Sequence, residues 1–284
     1  MKKALHLLLL LGLLFGQPVR AQSAQPGFTE EEMEAARRDP RAFEIDPLRV
    51  RLVHIGRVAY DGAWPGPEPR PGGAAAMGPP SSERGRAPFA QRGVPVDPGT
   101  IINIGKEAWR IIEANRPVVD IKQSYATALP GGTTHWNQLT GWGVPVGDVY
   151  ELEAGNFWGW TVIKVRFQVL RASGGNWRGI GRYLTTVTTE PQLVDVFWGY
   201  RFSMEGVVPK ETVLNAGNAQ EPMGALTHAL RWRIGTAIKE MRGSHVFYMQ
   251  GDGIFKQIGS PNMEPGPARH FRLPEAAPQV PVWE

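Results

Sequence analysis

Trp160-Thr161-Val162-Ile163-Lys164-Val165-Arg166-Phe167-Gln168-Val169-Leu170 is the stretch on which the fold turns. Successive side chains of an extended chain point to opposite faces, so Ile163, Val165, Phe167 and Val169 share one side while Lys164, Arg166 and Gln168 share the other. One side meets a core and the other meets water, as in a strand of an antiparallel sheet. Ser173-Gly174-Gly175-Asn176 follows. Gly and Asn accept the positive φ of a tight reversal, which predicts a hairpin turn there. The return strand runs over residues 180–189, rich in β-branched threonine, and Pro191 ends it.

The same period of two predicts strands over residues 194–207, 225–239 and 245–258. In the first, Val194, Val196, Trp198, Tyr200, Phe202 and Met204 share a face. In the second, Leu226, Leu230, Trp232, Ile234 and Ile238 do. The third is broken by Gly251-Asp252-Gly253. Upstream, residues 118–129 and 149–152 read as strands separated by a Gly- and Trp-bearing loop, and residues 48–60 alternate despite Gly56. Seven or eight long strands joined by tight turns predict a mainly β fold, an antiparallel β-sandwich or strongly curled sheet with one packed α-helix. That helix is expected over residues 103–115. There Ile104, Ala108, Ile111 and Ile112 fall at i, i+4, i+7 and i+8, with Asn103 as cap and Asn115 as the end before Pro117. The chain shows no internal repeat.

The ends organise differently. Lys2 and Lys3, an apolar run from Leu7 to Phe15 and Val19-Arg20-Ala21 predict a signal peptide over residues 1–21, cut between Ala21 and Gln22. The apolar run is too short to span a bilayer, which needs about 20 residues, so no transmembrane helix is expected after cleavage. Thr29-Glu30-Glu31-Glu32 reads as a capping box opening a second helix that Pro40 stops, within an N-terminal segment of residues 22–60. Residues 61–99, dominated by Pro, Gly, Ala, Ser and Arg, offer little to bury and read as a flexible linker or surface excursion. The β domain follows over residues 100–259, and a Pro-rich tail over 260–284.

Composition excludes several classes of chemistry. With no cysteine there are no disulfides, thiolate metal sites, iron–sulfur clusters or thiol nucleophiles. Loss of Lys2, Lys3 and Arg20 on processing lowers 31 basic groups to 28 against 27 acidic ones, a net charge near +1 that does not advertise nucleic-acid binding.

Ile102-Asn103-Ile104-Gly105-Lys106, Trp109, Asn115, Pro117-Val118-Val119, the Gly-rich hairpin and Trp198-Gly199-Tyr200 together resemble an uncharacterised family of exported, signal-peptide-bearing bacterial proteins. The resemblance spans roughly residues 96–258. It implies export and a β domain, and brings no activity, cofactor or functional residue with it.

The residues themselves support no catalytic set. His54, His135, His228, His245 and His270 lack the spacing that puts two imidazoles on one metal, and no Ser stands in a G-x-S-x-G elbow. His228, on the face of Leu226, Leu230 and Trp232, reads as a core histidine. Asp252 between two glycines lacks the other acids of a calcium loop and reads as a bulge or turn. Gly174-Gly175 and Gly179-x-Gly181 lie within a hairpin, not between a strand and a helix, so they do not read as a phosphate cradle. Glu151, Glu153, Asp195 and Glu205 could supply a carboxylate pair for glycoside hydrolysis, or simply decorate a wetted sheet face. No cofactor and no metal are expected.

Ten tryptophans stand out more. Trp136, Trp142, Trp158 and Trp177 fall near predicted turns, where rings can stack on sugars or dock a partner. Trp158, Trp160, Trp198 and Trp232 also suit a core or an aromatic girdle. The expectation is an exported envelope protein of the Gram-negative periplasm or exterior, non-catalytic, whose loop end binds an envelope glycan or protein partner. Alternatives are an outer-membrane β-barrel and a periplasmic or secreted hydrolase with a dispersed His/carboxylate site.

Overall fold

The computed structural model describes residues 27–59, 95–259 and 264–265. Among these, α1 (Glu30–Arg38) is the one α-helix, held by the reciprocal bonds of its capping box: Thr29 Oγ1 accepts from Glu32 N at 3.2 Å and Glu32 Oε2 accepts from Thr29 N at 2.8 Å. A 3₁₀ turn at Pro40–Phe43 follows. The rest of the regular structure is strand: β1 (Ile45–Ala59), β2 (Asp97–Ile102), β3 (Ala108–Glu113), β4 (Arg116–Pro117), β5 (Ala126–Gly131), β6 (Val146–Asn156), β7 (Thr161–Trp177), β8 (Ile180–Val196), β9 (Tyr200–Val207), β10 (Leu214–Asn215), β11 (Gly224–Thr236), β12 (Glu240–Gln250), β13 (Phe255–Gln257) and β14 (Glu264–Pro265).

Two antiparallel sheets result. One has the order β1-β6-β7-β8-β5-β2, the other β13-β12-β11-β9-β3-β4, with β10 added on β11 and β14 on β12. Their inner faces bury Leu152, Val165 and Phe167 from the first sheet against Phe202, Leu230, Ile234 and Phe247 from the second, the core of a β-sandwich. Ile163, Val165, Phe167 and Val169 of β7 are fully buried, as the alternation requires. Lys164 and Arg166 of the same strand face out and pair with Glu151. Neither strand order closes on itself among the described residues, as the ring of a membrane barrel would. No helix there is long and apolar enough to cross a membrane, which says nothing of strands.

The helix expected over residues 103–115 is a correction: the segment leaves β2 as a loop over residues 103–107 and then supplies β3. The register slips between Arg110 and Ile112 where β3 pairs with β9, so Ile111 and Ile112 both turn inward beside Trp109. A bulge that buries two successive residues imitates a helical stripe in sequence. Ala114 (φ 46°) and Asn115 (φ 69°) then make the two-residue reversal into β4, a left-handed pair in which asparagine is at home. The Asn115 side chain also ties this turn to β9, accepting from Phe202 N at 2.6 Å and donating to Tyr200 O at 3.0 Å.

Other boundaries move. Residues 118–125 are not strand, because Asp120 closes a turn there: its carbonyl accepts from Ser124 N at 2.8 Å. The reversal expected at 173–176 sits at Arg178 (φ 52°) and Gly179 (φ 83°) instead. Ser173 and Gly175 stay paired with Leu184 and Tyr183 across register shifts, so the glycines there serve bulges, not the tip. Pro191 does not end β8 either; it pairs with Phe167 at a shift in the ladder, where a missing N–H is tolerated. The strand expected over 194–207 is cut at 197–199 into the end of β8 and the start of β9. The described residues form fourteen strands, four of them only two or three residues long, against the seven or eight expected. The signal peptide, its cleavage point, His270 and most of the 61–99 stretch lie outside the described residues, whereas Asp97, Pro98 and Gly99 belong to β2.

Candidate functional site

Two turns of matching sequence meet at one end of the sandwich. Phe157-Trp158-Gly159-Trp160 joins β6 to β7, and Phe197-Trp198-Gly199-Tyr200 joins β8 to β9. Both place glycine in the left-handed region, Gly159 at φ 88° and Gly199 at φ 81°. At Gly199 the requirement is doubled, because a Cβ would lie 2.4 Å from the Phe43 ring. Gly159 N donates to Asn156 O at 2.9 Å and Tyr200 N to Phe197 O at 3.2 Å, closing each turn. Phe197 N donates to Val162 O at 2.9 Å, which sets the second turn beside the strand leaving the first.

The segment before β1 fastens both turns. The Ala42 carbonyl accepts from Asn156 Nδ2 at 3.1 Å and from the Tyr200 hydroxyl. Burial pushes the Tyr200 phenol up from its ordinary pKa, so it remains a donor. Trp158 Nε1 donates to Asp39 Oδ2 at 2.9 Å, and the Arg41 guanidinium stands 4.9 Å from the Trp158 ring centroid. Phe43 meets Trp198 edge-on at 6.0 Å and stacks on Tyr200 at 6.1 Å. Arg49 Nη2 donates to Gly159 O at 2.7 Å.

Held this way, Phe157, Trp158, Trp160, Phe197 and Trp198 stay between 39% and 55% exposed. An aromatic side chain spans about 150–250 Å², so each ring leaves roughly 100 Å² open and the five about 500 Å². That matches the largest patches of ordinary monomers, which are often functional. The flanking segment carries Asp39, Glu44 and Asp46 against Arg41 and Arg49, three acidic groups to two basic. What the surface offers is apolar ring faces rimmed by fixed hydrogen-bonding groups.

The tryptophans singled out in the sequence divide between the two ends of β7. Trp136, Trp142 and Trp177 come together, but as the packed rim of a small core around Leu129, Leu139 and Tyr183. Trp142 lies edge-on to Trp136 at 6.3 Å and donates from Nε1 to Trp136 O at 3.3 Å, while Arg178 covers Trp177 at 5.3 Å. Trp158 alone of the four belongs to the exposed aromatic end. Trp232 is buried.

No protein-family model matches the chain, nor does any curated protein or solved structure. The site therefore stands on geometry.

The candidate catalytic groups are dispersed. Glu151 pairs with Lys164 and Arg166, and the Arg166 hydrogen bond holds its carboxyl below the usual range. Glu153 pairs with Arg51 and Lys164; Asp195 lies opposite Lys164 and Glu205 opposite Arg110. His135 caps a short 3₁₀ turn, its Nδ1 accepting from Asn137 N at 3.2 Å. His54 Nε2 lies 3.0 Å from Asp148 Oδ1. His228 is fully buried, bonded to Thr189 Oγ1 at 2.9 Å and stacked on Trp109 at 5.2 Å. Asp252 Oδ1 accepts from Ile254 N at 3.1 Å, a turn bond. Among the described residues no three His, Asp or Glu side chains group as a metal site would. Sequence reasoning missed Phe157 and Phe197 altogether, and left Trp160 and Trp198 to core or girdle. The recurrence of Phe-Trp-Gly followed by an aromatic, forty positions apart, was the signal.

Proposed function

We propose that this is a non-catalytic binding protein of the bacterial envelope, which docks a neutral glycan chain on its aromatic end. The observation that carries the reading is the pair of Phe-Trp-Gly turns, which hold five half-exposed rings on one rigid edge. Sugar rings have apolar C–H faces and a rim of hydroxyls, the complement of tryptophan faces bordered by Asp39, Arg41 and Arg49. The slight excess of acid in that border disfavours an anionic bilayer, which attracts basic segments. The leader read over residues 1–21 would take the protein to the periplasm or beyond, where such glycans occur. The packed cluster of Trp136, Trp142 and Trp177 acts in this reading as a structural brace at the far end.

Covering roughly 100 Å² of one ring is worth about 2.5 kcal/mol at 25 cal/mol per Å², more than a tenfold change in affinity. Retention on insoluble chitin, a neutral glycan, tests the proposal. Trp158→Ala/Trp198→Ala, assayed well below its lowered melting temperature, should lose retention at least tenfold, while Trp177→Ala should bind as the parent does. Equal retention of the double variant would sink it.

A further inference from the structure

The outer face of the second sheet holds a groove of about 610 Å³ across β3, β9, β11 and β12. Register decides what it presents. Arg231 of β11 lies opposite Ser244 of β12 and Glu205 of β9; two residues along, Arg233 lies opposite Arg242 and Ser203. Arg110 of β3 sits across from Glu205. Four guanidinium groups thus share one face with two serines.

Two of the four are already engaged. Arg110 Nη1 donates to both Glu113 oxygens at 2.6 and 2.7 Å, and Arg242 Nε donates to Glu240 Oε1 at 2.6 Å. The other two are held only by long ion pairs: Arg231 stands 3.9 Å from Glu205 and Arg233 3.9 Å from Glu240, both beyond hydrogen-bond reach, with side chains 58% and 55% exposed. Each has a serine on the neighbouring strand, Ser244 beside Arg231 and Ser203 beside Arg233. Ser203 Oγ accepts only a long 3.5 Å bond from Ala114 N, which leaves its proton to give. Residues two apart on a strand are separated by about 7 Å, so the groove displays two planar forks at that interval, one with a hydroxyl on the β12 side and the other with a hydroxyl on the β9 side. A guanidinium fork matches a carboxylate bidentately, and charge assistance makes such bonds about twice as strong as neutral ones.

We propose that this groove binds an acidic oligosaccharide, seating one carboxylate on Arg231 and Ser244 and a second on Arg233 and Ser203. Glu113 and Glu205 stand in the same groove, where carboxylate oxygens can accept from sugar hydroxyls. The Trp232 ring is buried to 2% exposure, so bases would find no aromatic platform there. The site is separate from the aromatic end and does not depend on it.

Calorimetric titration of the full chain with tetragalacturonate is the test. Binding should weaken as salt rises, and fall at least tenfold in Arg231→Gln/Arg233→Gln with the melting temperature held. Arg231→Lys/Arg233→Lys, which keeps the charge and loses the fork, should fall between. Trp158→Ala/Trp198→Ala should bind tetragalacturonate as the parent does, so the two sites can fail separately. No binding, undiminished binding by the Gln variant, binding of a neutral tetrasaccharide by Trp158→Ala/Trp198→Ala as tight as that of tetragalacturonate, or tighter binding of an oligothymidylate would each overturn the assignment.

Discussion

Lowering the pH from 7 to 5 should destabilise this fold through two histidines that the sandwich keeps uncharged. His228 and His245 face the core from adjacent strands β11 and β12 and are fully buried. Burial pushes His228 down to about 3, a hydrogen bond to the Val207 backbone offsetting it in part, and pushes His245 down to about 4. Among the described residues their partners are Thr189, the Val207 backbone and the Trp109 and Trp232 rings, and no carboxylate pairs with either imidazole. A base whose folded pKa is depressed contributes fully above its unfolded value, near 6.5, and loses that contribution as pH falls toward the folded value. Each histidine loses about 1.4 kcal/mol per pH unit in that window, so about 2 kcal/mol at pH 5 and about 4 together. For a domain this size that is a drop in melting temperature of roughly 8–16 °C. Carboxylates held low, such as Glu151, begin to matter only below the ordinary glutamate value of 4.5. Urea titrations at the two pH values provide the assay, with His245→Leu as the decisive variant. Neither ring nitrogen of His245 meets a partner among the described residues, so leucine removes no hydrogen bond. The variant should be as stable as the parent at pH 7 and lose only about half as much at pH 5. Coincident parent midpoints at both pH values would refute the reasoning.

Asp148→Ala should cost about 3–5 kcal/mol by chemical denaturation, because it strands Arg171, whose side chain is 1% exposed and whose Nη1 lies 2.7 Å from Asp148 Oδ2. Arg57→Ala, removing a half-exposed partner of the same carboxylate, should cost no more than about 1 kcal/mol. Gly175→Ala should cost about 1–3 kcal/mol and red-shift the indole emission, since its Cβ would stand 2.4 Å from the Trp142 ring.

How much of this was legible depends on which residues one asks. The faces of β7 and β11 could be read because strict alternation leaves a single burial solution, and Ile163 to Val169 and Leu226 to Ile234 follow it. The stripe at residues 104–112 misled because a bulge in β3 buries Ile111 and Ile112 in succession, a local accident of pairing with β9. The tip of the long β7–β8 hairpin misled for a similar reason: Gly175 is needed to admit the Trp142 ring, whereas the reversal falls on Arg178-Gly179. Trp158 was visible as a loop tryptophan. That it shares an edge with Trp198 depends on β8 pairing with β7 and on Ala42 bonding both turns, long-range facts that no single segment encodes. The groove is similar, since Arg231 and Ser244 read separately as wetted positions and become neighbours only through strand register.

The indole N–H resonances of ¹⁵N-labelled protein report residue by residue which tryptophans a glycan touches. On titration with solubilised chitin fragments, the signals of Trp158, Trp160 and Trp198 should shift together and saturate at one concentration, while those of Trp136, Trp142 and Trp177 hold still. Shifts confined to Trp136, Trp142 and Trp177, or no shift in any indole, would contradict it.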